Sequence, residues 1–302
     1  MKIIPLAFES LGTRSMATLV ETVDCRIVID PGVALGPWRY GLRPHELELE
    51  RLTQHWREIK THSQNSDVLI ITHYHYDHHN PREPQIFRDK IVLLKHPEKN
   101  INFSQKRRSA YFLKQIEGLP REVLYCDGKS FDFGNTTITF SQPVFHGIDS
   151  KLGYVTEIAI KEGKDVFLHT SDIEGPSLKD QTLFIIENDP HTIFCDGPLT
   201  YMLNTQYPLR SLQDSIQNIM EIIDKTRVKK FVLDHHFLRD IQWRERIKDL
   251  LSFAESKGLE IISAAEFKGL KKDLLEARRK ELWETIPPTQ TQKYQDSSMF
   301  TE

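Results

Sequence analysis

Residues 73–79 read HYHYDHH, and this stretch comes one residue after the apolar run VLII at residues 68–71. Four metal-binding side chains therefore lie within six residues, namely His73, His75, Asp77 and His78. In an extended segment, side chains two residues apart point to the same side, so His73 and His75 can bind one metal ion together. Asp77 and His78 follow where the chain turns out of the strand, and both can face a second ion. The stretch predicts a two-metal site at the end of a strand.

Such a site needs further ligands, because each ion takes about four to six of them. The later chain offers candidates at strand ends. His146 follows the apolar residues 144–145, and Asp172 follows the run VFLH at residues 166–169, where one carboxylate could bridge both ions. The run FVLD at residues 231–234 leads into His235 and His236. Strand register favours His235, the first residue after this run, and leaves His236 as the alternative.

Composition and charge restrict the class of protein. The chain has 302 residues, of which 39% are hydrophobic and 27% charged, as in ordinary globular proteins. The net charge of -3 gives no overall basic field for nucleic acid or an anionic membrane, although a local basic patch stays open. The apolar runs are much shorter than the ~20 residues of a membrane span. With an N-terminus unlike a signal peptide, we expect a cytoplasmic protein without a membrane partner; the oligomeric state is left open.

The order of elements indicates the architecture. Strands are predicted at residues 3–8, 17–22, 26–29, 67–72, 90–95, 130–133, 136–142, 154–161, 165–170, 192–195, 229–233 and 260–262. Helices are predicted over about twenty residues from Pro44 and at residues 102–116, 211–225, 239–257 and 264–283. Both halves pass from strands to helices, which favours a four-layer αββα sandwich of two mixed sheets over an open parallel sheet. We expect one domain over residues 1–285 and a flexible tail at residues 286–302.

The order of these segments resembles the metallo-β-lactamase superfamily, in its branch of phosphodiesterases and related hydrolases. The resemblance spans roughly residues 10–240 and rests on Asp30, the 73–78 motif, His146, Asp172 and the late histidine. Residues 10–17 (SLGTRSMA) and 234–240 (DHHFLRD) resemble an archaeal branch of this superfamily. The resemblance implies that His73, His75 and His146 hold the first metal and Asp77, His78 and His235 the second, with Asp172 bridging. It also implies that Asp30 braces the histidine loop through hydrogen bonds without touching metal.

Asp196 and His169 are two further polar residues near strand ends. In the transfer-RNA-processing nuclease of the superfamily, a His-Glu pair in the strand that corresponds to residues 192–195 relays a proton to the leaving group. Here that strand ends in Cys195 and Asp196, which disfavours transfer-RNA maturation. Asp196 is a candidate catalytic residue as a proton relay or a support for the site, with a helix N-cap or turn role as its alternative. His169 lies three residues before Asp172, so in a strand it faces the other way and is expected in the core.

The predicted function is metal-dependent hydrolysis. Two divalent ions, expected to be Zn²⁺ with Mn²⁺ or Fe²⁺ as alternatives, would lower the pKa of a bound water, and Asp77 could accept or orient its proton. Basic side chains favour a phosphodiester or another phosphorylated, nucleotide-like small molecule as substrate: Arg39, Arg43, Arg107 and Arg108. A lactone or thioester hydrolase is the alternative. Outside catalysis, the sequence leaves open a metal-binding protein without activity, or a nucleic-acid-binding protein that uses the basic helix at residues 102–116.

Overall fold

The computed structural model of the chain describes residues 1–286. The expected tail at residues 286–302 lies outside the described residues, apart from Ile286. The strands are β1 (Lys2–Phe8), β2 (Met16–Glu21), β3 (Arg26–Ile29), β4 (Val68–Ile71), β5 (Ile91–Leu94), β6 (Glu122–Tyr125), β7 (Ser130–Phe133), β8 (Thr136–Phe140), β9 (Val144–Phe145), β10 (Tyr154–Val155), β11 (Ile158–Glu162), β12 (Asp165–His169), β13 (Thr192–Cys195), β14 (Lys230–Leu233) and β15 (Ile261–Ile262). The helices are α1 (Glu46–Gln64), α2 (Phe103–Ile116), α3 (Asp180–Asn188), α4 (Leu209–Lys225), α5 (Trp243–Arg246), α6 (Lys248–Ser256), α7 (Ala264–Phe267) and α8 (Arg279–Thr285).

Two mixed sheets organise the chain. The first has six strands in the order β1-β2-β3-β4-β5-β6, antiparallel from β1 to β3 and parallel from β3 to β6. The second has seven strands in the order β15-β14-β13-β12-β11-β8-β7, parallel from β12 to β15 and antiparallel elsewhere. Strands β9 and β10 form a separate antiparallel pair.

Successive side chains along a strand point alternately to the core between the two sheets and to the outer helices. In β4, Val68 and Ile70 belong to the core between the two sheets, whereas Leu69 and Ile71 pack with side chains of α1 and α2 on the outer face. In β12, Phe167 faces the inter-sheet core, and Leu168 packs with residues of α3, α4 and α6 on the opposite outer face. The layers therefore run helix, sheet, sheet, helix. The predicted αββα sandwich is confirmed.

The C-terminal part departs most from the predicted elements. The single helix expected at residues 264–283 is wrong, because α7 ends after Phe267 and α8 begins only at Arg279. Gly269 adopts a positive φ of 75°, and the amide of Leu270 donates to the carbonyl of Ala265 (2.8 Å), a helix-ending arrangement that glycine permits without strain. The following segment crosses to the N-terminal region, where Asp273 N donates to Ser10 O (2.8 Å).

Other predicted elements divide or are missing. The expected strand at residues 154–161 is split into β10 and β11, and the expected helix at residues 239–257 begins with a 3-10 turn and then forms α5 and α6. Helix α3 and strands β6 and β9 are absent from the predicted elements. In contrast, β3, β7 and β13 have the predicted ends. No helix within residues 1–286 has the length and apolar character that a membrane span requires.

The topology brings the candidate residues to one place. Strands β3 and β4 are parallel neighbours in the first sheet, and β12, β13 and β14 are parallel neighbours in the second. The carboxyl ends of parallel strands meet at one edge of a sheet, which is where ligands commonly bind in α/β folds. Directly beyond these five strand ends lie Asp30, the 73–78 motif, Asp172, Asp196 and the pair His235 and His236.

Helix α1 buries His55 against the first sheet, where its Nδ1 lies 2.7 Å from Thr13 Oγ1. Burial, together with the charges of Arg51 and Lys268, lowers the pKa of His55 from 6.5 to about 3. The folded protein therefore binds fewer protons at this ring than the unfolded chain does. Stability from the neutral ring is fully present above the unfolded pKa and is lost as the pH falls below it.

We expect His55→Gln to weaken the pH dependence of stability. Between pH 7 and pH 5 the wild type should lose about 2 kcal/mol more of its free energy of unfolding than the variant, because unfolded His55 gains a proton over this range and folded His55 does not. Urea unfolding of both proteins at the two pH values, with the same metal content, measures the difference. Equal losses in the two proteins would contradict this assignment.

Candidate metal centre

The 73–78 motif lies in a loop and turn directly after β4 and not on the strand itself. His73 Nε2 is 3.1 Å from His75 Nδ1, so the two imidazoles meet although the backbone there is not in a sheet. The chain then turns, with the amide of His78 donating to the carbonyl of His75 (3.0 Å). This turn carries Asp77 and His78 to the second side of the cluster, where both are buried.

The carboxylate of Asp172 occupies the middle of the cluster. Its Oδ2 lies close to the Nε2 atoms of five histidines: His78 at 3.0 Å, His235 at 3.4 Å, His146 at 3.5 Å, His73 at 3.7 Å and His236 at 3.9 Å. These rings come from three separate segments of the chain: the 73–78 motif, the segment with His146, and the pair His235 and His236. One buried oxygen is therefore the point toward which the candidate residues converge.

Among residues 1–286, five groups of candidate ligands lie close enough together to hold a metal ion, and the two groups with four members share Asp172. Within each group the ligand atoms lie within 4.8 Å of one another. The first group is His73, His75, His146 and Asp172; the second is Asp77, His78, Asp172 and His235. Their membership is the same as that of the two ligand sets implied by the family resemblance.

The polar atoms of the cluster fit a divalent cation. Within residues 1–286, several buried atoms here have no hydrogen-bond partner: Asp77 Oδ1, Asp172 Oδ1, His146 Nδ1 and Nε2, and His235 Nδ1. A buried polar atom without a partner is costly, and a cation offers the carboxylate oxygens and one nitrogen of each imidazole the interaction they lack. Imidazole and carboxylate donors suit Zn²⁺, Mn²⁺ and Fe²⁺.

The two late histidines occupy different positions. His235 Nε2 is 3.4 Å from both Asp77 Oδ2 and Asp172 Oδ2, which puts it in the second group. His236 Nδ1 lies instead 3.1 Å from Asp196 Oδ2, and its Nε2 faces the centre from the side of His146. The amide of His235 donates to its neighbour Asp234 (2.8 Å), which stabilises a backbone of positive φ (40°) at His235. The geometry therefore favours His235 as the ligand.

Asp30 fixes the histidine loop from below. Its Oδ1 accepts from the amide of Thr72 (2.8 Å), and its Oδ2 accepts from Thr72 Oγ1 (2.7 Å) and from His78 Nδ1 (2.8 Å). The adjacent turn packs tightly on the same loop, because a Cβ added to Gly32 would lie 2.2 Å from the amide nitrogen of His79. Asp30 thereby fixes the proton of His78 on Nδ1 and leaves Nε2 directed at the centre.

Burial and charge shift the pKa values around Asp172 in opposite directions. Burial lowers the pKa of His73 and His75 well below the usual value, so both rings are neutral and able to coordinate. Burial also opposes protonation of His78, but Asp172 and Asp77 outweigh it and raise its pKa well above 6.5. Burial also opposes protonation of His235, but this effect is outweighed, chiefly by the charge of Asp172, which raises the pKa of His235 to about 9. The carboxylates thus favour positive charge at this point, which a divalent cation also provides.

Asp196, His169 and Tyr74 take distinct positions. Asp196 is buried, accepts from the amide of Glu174 (2.6 Å), lies 3.1 Å from His236 Nδ1, and has a carboxylate oxygen within 4.8 Å of one of Asp172. His169 is a buried core residue whose Nε2 donates to Met16 O (3.0 Å) and whose Nδ1 accepts from the amide of Ser171 (3.1 Å). Tyr74 packs in the core below α2, as its position between the ligand candidates suggests.

Two contributors to the site are missing from the sequence-based prediction. Glu174 is buried with its Oε1 3.6 Å from His146 Nδ1, and its spacing of two residues from Asp172 was a usable signal. Arg239 donates from Nε to Glu9 Oε2 (3.0 Å) and approaches His235 Nε2 at 3.4 Å. Glu9 and Arg239 are 230 residues apart, so no local pattern links them.

The basic residues singled out in the sequence lie on two sides of the centre. Arg39 donates to the carbonyl of Arg239 (2.9 Å), and its guanidinium stacks on the ring of Tyr201 at 4.6 Å. Arg43 lies over the ring of Trp38 at 5.3 Å, farther along the same loop. Arg107 and Arg108 belong to α2, on the side of the 73–78 motif.

Solved structures with a similar fold define the class of protein. No model of a known protein family matches the chain. The isothiocyanate hydrolase from Delia radicum gut bacteria aligns over 87% of this chain and 95% of its own, with a TM-score of 0.53 and 15% identity. The metallo-beta-lactamase fold protein YhfI from Bacillus subtilis aligns over 86% of this chain and 93% of its own, with a TM-score of 0.50 and 15% identity. The chain therefore has the metallo-β-lactamase fold.

Relatives with a similar sequence identify the protein family more narrowly than the solved structures do. A UPF0282 protein from Korarchaeum cryptofilum is 53% identical over 288 residues, which cover 95% of this chain and 96% of the relative. A UPF0282 protein from Metallosphaera sedula is 47% identical over 287 residues, which cover 94% and 93%. The chain belongs to the UPF0282 protein family. Both relatives are archaeal, which confirms the predicted archaeal branch of the superfamily.

Replacement of each late histidine tests the two ligand groups. We expect His235→Asn to lower metal content from two ions to one per chain and His236→Asn to keep both, because only His235 approaches Asp77 and Asp172 together. Asparagine tolerates the positive φ at residue 235, so the backbone is preserved. Elemental analysis after dialysis against limiting Zn²⁺ gives the content. Loss of an ion from His236→Asn alone would contradict the assignment of His235.

Proposed function

We propose that this protein is a dinuclear metal-dependent hydrolase and that its substrate is a small phosphodiester. The observation that carries the proposal is the single buried carboxylate of Asp172, which is shared by two groups of candidate ligands. A structural metal site closes its coordination around one ion and does not need a bridging carboxylate between two ions. The ligand candidates also include three histidines in the first group, a set that suits Zn²⁺.

Divalent cations bound there supply Lewis acidity, which lowers the pKa of water and offsets negative charge on a phosphoryl oxygen. The protein contributes a fixed base. Burial raises the pKa of Asp77, but His78 and the hydrogen bond from His235 outweigh it and hold the pKa well below its usual range. Asp77 is therefore a carboxylate at neutral pH. Its Oδ1, which has no hydrogen-bond partner within the described chain, is available to accept a proton from water and to orient it.

A second pair of residues can deliver a proton to the leaving group. Burial and the neighbouring Asp172 raise the pKa of Asp196 well above its usual range, and burial lowers that of His236 well below its own. These shifts favour a protonated carboxyl at Asp196 and a neutral ring at His236, which carries one proton on Nε2 in the relay. When His236 Nε2 releases its proton to a departing oxygen, its Nδ1 can take the proton of Asp196 across the 3.1 Å contact. The pair thus serves as a proton relay.

The choice of a phosphodiester is based on the arginines beside the centre. Arg39 Nε and Arg108 Nη1 are buried and have no hydrogen-bond partner among residues 1–286. A planar guanidinium matches the oxygens of a phosphate better than it matches an ester or lactone carbonyl. A lactone or a thioester would make little use of these two groups.

Metal-dependent turnover tests the proposed activity. We expect the Zn²⁺- or Mn²⁺-loaded protein to hydrolyse bis(p-nitrophenyl) phosphate, and Asp172→Asn to lower kcat by about 10³-fold or more, because the shared carboxylate is lost. Asp165→Asn, exposed at the other end of β12, is the matched control and should leave kcat unchanged. Parallel assays use a lactone panel and a thioester. Turnover of a lactone or thioester but of no phosphodiester would overturn the substrate assignment.

Two substrates whose leaving groups differ in their need for a proton test the proposed proton relay. We expect Asp196→Asn to lower kcat for diphenyl phosphate by about 10²-fold or more but to change kcat for bis(p-nitrophenyl) phosphate little, because p-nitrophenolate leaves without a proton. His236→Asn should behave in the same way, and the double variant should be no slower than either single variant, since the two residues act as a unit. Equal losses on both substrates would show that Asp196 only supports the structure.

A further inference from the structure

A groove opens between helix α2 and the loop that carries the 73–78 motif. It has a volume of about 440 Å³ and is lined by Tyr76, Ser104, Arg107, Arg108 and Tyr111. Its size falls within the roughly 300–1,000 Å³ that is typical of small-molecule sites. Tyr76 stands between His75 and Asp77 in the sequence, so one wall of the groove is the loop that carries the candidate ligands. A molecule in this groove would therefore contact the loop that carries the candidate ligands.

The groove carries positive charge that the protein does not neutralise. Helix α2 (FSQKRRSAYFLKQI) contains four basic residues and no acidic residue. Within the part of the chain that the structure describes, neither Arg107 nor Arg108 forms an ion pair with a carboxylate, and each instead lies over an aromatic ring. Arg107 is exposed and Arg108 is half-buried. Their guanidinium groups therefore leave positive charge at the groove that no carboxylate of the described chain pairs.

Arg108 is held in a position suited to a ligand. Its Cζ lies 5.2 Å from the centre of the Tyr76 ring, which restrains the guanidinium plane. Its Nη1 is buried and has no hydrogen-bond partner among the described residues. Burial is the main cause of the lowered pKa of His75, and the charge of Arg108 adds to it, so the guanidinium lies within electrostatic range of a candidate ligand. A buried guanidinium N–H without an acceptor is unfavourable until a ligand supplies an oxygen.

We propose that this groove is the specificity subsite of the enzyme and that it binds a nucleotide, with the phosphate on Arg107 and Arg108 and the base against the ring of Tyr111. Guanidinium groups bind phosphate oxygens through paired, charge-assisted hydrogen bonds. Tyr111, 46% exposed, offers an aromatic face on which a base stacks, whereas the ring of Tyr76 is covered by Arg108. The inference deepens the proposed function, on which it rests, because it narrows the substrate to phosphodiesters that contain a nucleoside.

Binding of adenosine 5′-monophosphate, ribose 5-phosphate and adenosine to the full-length, metal-loaded protein tests this subsite by titration calorimetry. We expect adenosine 5′-monophosphate to bind about tenfold or more tightly than either fragment, because it alone uses both the arginines and the ring of Tyr111. Arg108→Gln should weaken binding of both phosphates by about tenfold or more, and Arg107→Gln by less. Tyr111→Ala should weaken binding of adenosine 5′-monophosphate but not of ribose 5-phosphate. Lys114→Gln, which removes the same charge from an exposed position of α2, is the matched control and should bind like the wild type.

Two results would overturn the subsite. Arg108→Gln and Arg107→Gln, each folded by its melting temperature, could both bind adenosine 5′-monophosphate like the wild type. Alternatively, Lys114→Gln could lose as much affinity as Arg108→Gln, which would indicate only diffuse attraction by charge. The binding result is independent of turnover. Loss of nucleotide affinity in Arg108→Gln without hydrolysis of any phosphodiester would support the subsite and reject the proposed activity, whereas metal-dependent hydrolysis with unaltered nucleotide binding would reject the subsite alone.

Discussion

The buried carboxylate of Asp172 is the constraint on which the rest of the site depends. An ionised carboxylate removed from water is costly unless positive charge and hydrogen bonds compensate it. Here the compensation comes from imidazole rings on separate segments. Asp172 is therefore buried at low cost only when these histidines come together around it. Burial raises the pKa of Asp172, but the charges of His78 and His235 reverse this and hold its pKa well below the usual range. A divalent cation on either side would supply the same compensation without protonated rings.

Several long-range contacts keep the converging segments in register. Asp30 joins the first sheet to the histidine loop through Thr72 and His78. Asp234 joins the end of β14 to the N-terminal turn, because its carboxylate accepts from the amides of Ser10 (2.9 Å) and Ala264 (2.8 Å). These bonds link the two sheets at the edge where the strands end. The stretches at residues 10–17 and 234–240, which mark the archaeal branch, thus lie against each other at the base of the site.

Much of the fold was predictable because local patterns determine it. Strands such as β3 and β13 are short apolar runs bounded by turn residues, and their continuous apolar character already indicates a core on both faces. The segment at residues 264–283 was not predictable in the same way. Its composition suits a helix, but Gly269 and the ion pair of Glu276 with Arg14 (2.7 Å) draw the chain across the N-terminal region. That competition between local propensity and tertiary contact is invisible in one sequence.

The candidate site also combines residues that local patterns predict with residues that only the structure brings together. The 73–78 motif and the residues at strand ends follow from spacing and from the resemblance, because each is adjacent to an apolar run. The pairing of Asp196 with His236 and the approach of Arg239 to His235 depend on how three distant loops meet, and only the structure places them together. The contact of Arg108 with the ring of Tyr76 also depends on how distant segments meet. Sequence therefore predicted the metal-binding residue types, whereas the groups proposed for proton transfer and substrate recognition required coordinates.

The central claim is that Asp172 bridges two metal ions. A crystal structure of the protein grown with Zn²⁺, with anomalous diffraction collected on both sides of the zinc edge, tests it most directly. We expect two anomalous peaks about 3.5–4 Å apart, one beside His73, His75 and His146, the other beside Asp77, His78 and His235, with the Asp172 carboxylate between them. A single peak with its coordination closed by four protein side chains, or two peaks that do not share Asp172, would show that Asp172 is not a bridging ligand.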